Sequence, residues 1–203
     1  MKTLFFTSKS IADFIVNYGR GPNTKDYEFI AAIWLKKFCE KQWGTECRIG
    51  FNIKPDFHKQ LSGQTTIALI DIAKLFRNGI NEDSQIDCII SKNEENESGN
   101  HEGVEFQIKR FGLGRNEVSQ NTLSEYINSF KNKYGRTQTS LFIILDGTVS
   151  GEIDFNTLLK TFDTKNFPFD RLMFGWMHSD TIYVGEIYPE YGMEEFIPSE
   201  LVI

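Results

Sequence analysis

Residues 104–109 (Val-Glu-Phe-Gln-Ile-Lys) alternate strictly between apolar and polar side chains, and no other pattern in the chain restricts its segment so tightly. In a strand, successive side chains point to opposite faces. Val104, Phe106 and Ile108 then share one face, and Glu105, Gln107 and Lys109 share the other. A helix would scatter the same three apolar residues around its circumference. The first face belongs to a core; the second is a polar row that ends in an ammonium. A second strand is predicted just upstream at residues 85–91, carrying Asp87, with 92–103 as an acidic loop between the two. If these strands are neighbours, a carboxylate, an amide oxygen and a lysine converge. Hard divalent cations take oxygen ligands, and a lysine beside them can orient water or neutralise a phosphate.

The remaining pattern alternates helices and strands. Ser10 and Asp13 resemble a capping box, and Ile11, Phe14, Ile15 and Tyr18 keep helical spacing, which predicts a short helix over 10–18. Residues 25–42 form a longer helix with Tyr27, Ile30, Ala31, Trp34 and Phe38 as its stripe, and Glu28 beside it. A strand at 46–53 follows, then a helix at 65–78 closed by Gly79. Beyond the central strand, 112–115 turns the chain into a helix at 117–134, and 139–146 is a nearly all-apolar strand. A helix at 155–162 and a hairpin of 171–177 with 181–187, turning at His178-Ser179-Asp180, complete the chain. The fold class is α/β, a mixed central sheet flanked by helices. The whole of 1–203 reads as one domain, with a core over about 25–147 and a C-terminal extension over 148–203.

Composition narrows the class. Hydrophobic residues at 40%, including 18 Phe, suffice for a packed core. Three cysteines without paired spacing point to reduced thiols in a cytoplasmic protein. The run Leu4-Phe5-Phe6 is too short for a signal peptide, and the apolar run 141–145 is too short for a membrane span, so neither export nor a membrane is expected. A net charge of −6 argues against coating DNA indiscriminately. Its distribution is uneven. Between Glu82 and Glu105 eight acids stand against one lysine, whereas Lys109 to Arg136 holds six basic residues and two acids. Cation ligands next to phosphate holders are what a metal-dependent phosphodiesterase requires.

Asp87 followed by Gln107-Ile108-Lys109 resembles the D…(D/E)-x-K core of the PD-(D/E)XK nuclease superfamily. Gln in place of the second acid, followed by Arg110 and Phe111, is similar to the Mrr-like restriction endonuclease branch. The resemblance spans about 26–147, and Ile86 stands where the family's eponymous proline would be. It implies a restriction-endonuclease-like αβββαβ core with an inserted helix and a C-terminal hairpin. It further implies a Mg²⁺- or Mn²⁺-dependent endonuclease hydrolysing DNA, of restriction, repair or defence type, with a homodimer allowed. In that family pattern Asp87, Gln107 and the main-chain carbonyl of Ile108 are metal ligands, and Lys109 acts on the attacking water or the phosphate. Glu28 is the acid of the preceding helix, and Arg110, Arg115 and Lys131 hold flanking phosphates. Glu105 shares the polar face with Gln107 and is a ligand in a different register. The alternative is a nuclease-fold module that binds or regulates without cutting, which the overall acidity and the Gln for an acid favour.

Other motifs carry less. Gly112-Leu113-Gly114 lacks the third glycine of a dinucleotide-binding turn. In Leu145-Asp146-Gly147-Thr148 the position of a phosphatase nucleophile is Ile144, which has no nucleophilic atom. His58, His101 and His178 lack the spacing of a zinc site.

Overall fold

A computed structural model describes residues 3–6, 9, 11–12, 15, 24–54, 56, 78–79, 86–95, 101–112, 118–146, 153–162 and 164–201. The protein is a mixed α/β chain with two compact units, Met1–Phe106 with Pro198–Ile203, and Gln107–Ile197. The division falls inside one strand, between Phe106 and Gln107. Most of the helices expected at 10–18 and 65–78 lie outside the described residues, although Ile11, Ala12 and Ile15 are helical.

The first unit contains β1 (Thr3–Phe6), α1 (Thr24–Trp43), β2 (Cys47–Asn52), β3 (Cys88–Glu95) and the start of β4 (His101–Phe111). Its strands run in the order β1-β2-β3-β4, each antiparallel to the next, with Ile49 opposite Ile90 and Cys88 opposite Phe106. The helix α1 packs on the face carrying these residues, where Phe29 meets Phe51 edge-on at 5.2 Å between ring centroids. Its buried surface is wider than the predicted stripe, because Phe29, Leu35 and Cys39 are buried with Ala31, Trp34 and Phe38. The helix ends at Gly44, whose φ of 65° is a left-handed cap that lets its N–H donate to the Glu40 carbonyl at 2.9 Å. The Glu40 side chain ties this end to β2. It accepts from Lys36 Nζ at 2.5 Å and from the Cys47 N–H at 3.1 Å.

Two local expectations are corrected here. The acidic loop assigned to 92–103 is shorter, since β3 continues to Glu95 and β4 begins at His101. Charged residues persist in the ladder because they pair across it. Lys92 donates to Glu102 at 2.7 Å, and the Asn93 N–H donates to the Glu46 carbonyl at 3.0 Å. The strand β1 was read only as a short apolar run, yet it pairs with β2 from Thr3 opposite Asn52 to Phe6 opposite Ile49.

The second unit holds the end of β4, α2 (Gln120–Ser129), β5 (Ser140–Leu145), α3 (Phe155–Thr161), β6 (Arg171–His178), β7 (Thr181–Tyr188) and β8 (Gly192–Phe196), with strand order β4-β5-β6-β7-β8. The helix predicted over 117–134 begins later because Ser119 caps it. Thr122 returns the bond to the Ser119 N–H at 3.0 Å, so the capping box uses Thr where Glu is usual. The helix tightens into a 3-10 turn over Phe130–Asn132. Strand β5 is buried throughout and runs parallel to β6, with α3 in the crossover between them. The predicted hairpin is present as β6 and β7, antiparallel, turning through Ser179 at φ 53°. Strand β8 was missed because its adjacent Glu194 and Glu195 interrupt the alternation. The core of this unit joins Phe111, Leu123, Ile127, Phe130, Leu141, Ile143, Leu158 and Phe174. Burying each such side chain contributes roughly 1.5–3 kcal/mol.

One buried acid gives this unit a pH signature. Glu186 on β7 is 8% exposed and accepts from Arg171 Nη1 at 3.2 Å. Burial raises its carboxyl above the ordinary value of 4.5, outweighing the opposing pull of Arg171. A carboxyl raised in the folded state favours folding fully below its ordinary value, and that contribution is lost as pH rises through the raised one. The melting temperature of Glu186→Gln minus that of the wild type should therefore grow from pH 4 toward pH 7. A difference that is flat across this range would show that Glu186 ionises at its ordinary value.

Candidate metal and phosphate site

In the first unit, Asp87 immediately precedes β3, and its N–H donates to the Phe106 carbonyl at 2.9 Å, extending the β3–β4 ladder by one residue. The side chain is half-buried. Next to it, the fully buried Cys88 thiol is held well above its ordinary range, first by burial and then by the charges of Asp87, Cys39 and Glu28. Asp87 and Glu28 therefore lie within electrostatic reach of the same thiol. Glu28 approaches from α1, on the face of the sheet that carries Cys88 and Phe106. Glu105 alternates to the opposite face, half-buried, and pairs in register with Ile89.

In the second unit, Gln107, Ile108, Lys109 and Arg110 are consecutive on β4. The expected alternation is present, with Ile108 5% exposed on the core side. The polar side is not an open surface, however. Gln107 is 6% exposed, and its side-chain Oε1 is buried without a hydrogen-bond partner. Lys109 is half-buried on the same side and forms no ion pair or hydrogen bond with a described residue. Gln107 and Lys109 thus present an unsatisfied acceptor and an unpaired cation two residues apart on one strand face.

The basic residues are used differently from the sequence expectation. Arg110 is 15% exposed and forms an ion pair with Asp146 just beyond β5, through both Nε and Nη2. A phosphate would reach this guanidinium only in competition with Asp146. The sequence reading placed Asp146 in a turn and missed this role. Lys131 is half-buried on the 3-10 turn after α2, and Arg115 lies outside the described residues.

The donor set fits a hard cation only in part. No three His, Cys, Asp or Glu side chains gather as a metal-binding group among the described residues. What fits is oxygen chemistry, because an amide oxygen orphaned in a buried position lacks the partner that a Mg²⁺ or Mn²⁺ ion supplies. None of the described helices is long and apolar enough to cross a membrane. Compared with models of protein families, with curated proteins and with solved structures, the chain matches none.

Proposed function

We propose that the protein is a Mg²⁺- or Mn²⁺-dependent endonuclease that hydrolyses DNA phosphodiester bonds, of restriction, repair or defence type. The observation that carries this reading is the orphaned Oε1 of Gln107, with the unpaired Lys109 two residues further on the same face. A buried acceptor left unsatisfied costs about 1–3 kcal/mol, so its retention asks for a partner that arrives with the ligand. The order α1, β2, β3, β4, α2, β5 supports the reading, being that of an αβββαβ core.

In this function Asp87, Gln107 and the main-chain carbonyl of Ile108 hold the cation, and Glu28 orients a water. The bound cation supplies charge stabilisation at the phosphate and lowers the pKa of a water. Lys109 places its ammonium where negative charge builds on the phosphoryl oxygens, or holds the attacking water. Lys131 and Arg115 hold flanking phosphates, with Arg110 exchanging Asp146 for one.

Gln107→Glu tests the carrying observation. In chelator the variant should melt several degrees below the wild type, because it buries a carboxylate at a position 6% exposed. Millimolar Mg²⁺ should restore it and raise its melting temperature more than the wild type's, since an added carboxylate strengthens a hard-cation site. A variant that Mg²⁺ does not rescue would remove Gln107 from the ligand set. The pairing of Arg110 with Asp146 favours a second reading, a nuclease-fold module that binds DNA without cutting it. Binding with no cleavage in Mg²⁺ or Mn²⁺ selects that module.

A further inference from the structure

We infer that Glu105 supplies the second acid of the cation site, an inference that rests on the nuclease reading above. The family pattern puts an acid where this chain has Gln107, and an amide oxygen alone lacks the charge a divalent cation needs. Three carboxylates are available in the first unit: Glu28, Asp87 and Glu105. Glu28 stands on α1, on the side of the sheet occupied by Cys88, Phe106 and the buried Phe29–Phe51 contact. Glu105 stands on β4 itself, on the other side, two residues before Gln107 and on the same strand face.

The β3–β4 register brings Glu105 toward Asp87. Ile89 is opposite Glu105, and Asp87 lies two residues before Ile89, so the two acids are diagonal neighbours across an antiparallel pair. Diagonal neighbours stand about 7–8 Å apart. A glutamate, one methylene longer than an aspartate, can span that gap to a shared ion. Glu105 is half-buried and forms no hydrogen bond or ion pair with a described residue, so a strand-face carboxylate stands unneutralised. The independent pointer to a ligand is Gln107 Oε1, buried on the same strand face without a partner. Two carboxylates and one amide oxygen leave the remaining positions of an octahedral ion to water and phosphate.

The experiment is Mn²⁺ binding to the purified full chain, read by electron paramagnetic resonance and calorimetry, for the wild type, E105Q, D87N and E102Q. Glu102 is the control, since it makes the same charge change on the same strand but is exposed and paired with Lys92 at 2.7 Å. E105Q and D87N should each weaken Mn²⁺ roughly tenfold or more, with E102Q within about twofold of the wild type. Circular dichroism checks each fold; should E105Q not fold, E105D keeps the charge on a shorter arm and should lose affinity part of the way. Equal losses in E105Q and E102Q would reduce Glu105 to a background charge and overturn the inference. Wild-type affinity in E105Q with loss in D87N would overturn it while leaving the nuclease reading in place. A wild type that binds no Mn²⁺ but melts normally removes both.

Discussion

Gly112→Ala should lose most of the stability of the second unit, or fail to accumulate as folded protein at all. Gly112 follows β4 at φ 118°, a conformation that residues with a Cβ rarely adopt. The space is closed as well. A Cβ at this position would lie 1.8 Å from the Asp146 carbonyl oxygen and 2.7 Å from its carbonyl carbon. These are backbone atoms at the end of β5, so no side chain can swing aside. Relief would have to separate β4 from β5 where the Asp146 N–H donates to the Phe111 carbonyl at 2.8 Å and Arg110 pairs with the Asp146 carboxylate. Strain of this kind costs on the order of 1–3 kcal/mol for the backbone alone, and breaking a partly buried ion pair adds to it. We expect a loss of more than about 4 kcal/mol by urea denaturation, at the exceptional end for one substitution. Gly135→Ala is the control, since a Cβ there meets nothing within 4 Å. A Gly112→Ala protein within about 1 kcal/mol of the wild type would show that β4 and β5 separate at little cost.

Lys109→Ala should abolish DNA cleavage while leaving DNA affinity within about twofold. In the proposed enzyme its ammonium acts on charge that develops only as the phosphate reacts, so its removal should lower the rate of cleavage rather than binding. Loss of one such electrostatic group typically costs roughly 10²–10³ in rate. Its half-buried position and lack of a partner also predict little change in stability, because no ion pair is broken. Cleavage and fluorescence anisotropy should be measured on the same duplexes, in Mg²⁺ and in Mn²⁺. The panel includes methylated and branched DNA, since nothing in the fold selects one recognition sequence. Parallel loss of binding and cleavage would make Lys109 a phosphate holder. If the wild type cuts no member of the panel at any metal concentration, the non-cutting module replaces the enzyme.

Much of the architecture was written locally in the chain. The alternation in 104–109 determined both faces of β4, the uninterrupted apolar run determined that β5 is buried, and the turn at Ser179 separated two legible strands. These are properties of neighbouring residues, and strand and helix periods express them directly. The candidate residues Asp87, Gln107 and Lys109 were legible for the same reason.

Tertiary structure decided the rest. Nothing near Gln107 in sequence says that the polar face of its strand is closed over, because that depends on what packs there. Arg110 finds Asp146 across 36 positions of chain, and this pairing converts an expected phosphate holder into a structural cation. Thr3–Phe6 becomes a strand only because β2 offers it an edge, and Glu105 gains its relation to Asp87 only through the β3–β4 register. Local pattern sets which way a side chain faces. Which distant group it meets, and whether water is left between them, is set by strand pairing and packing that no short window of sequence contains.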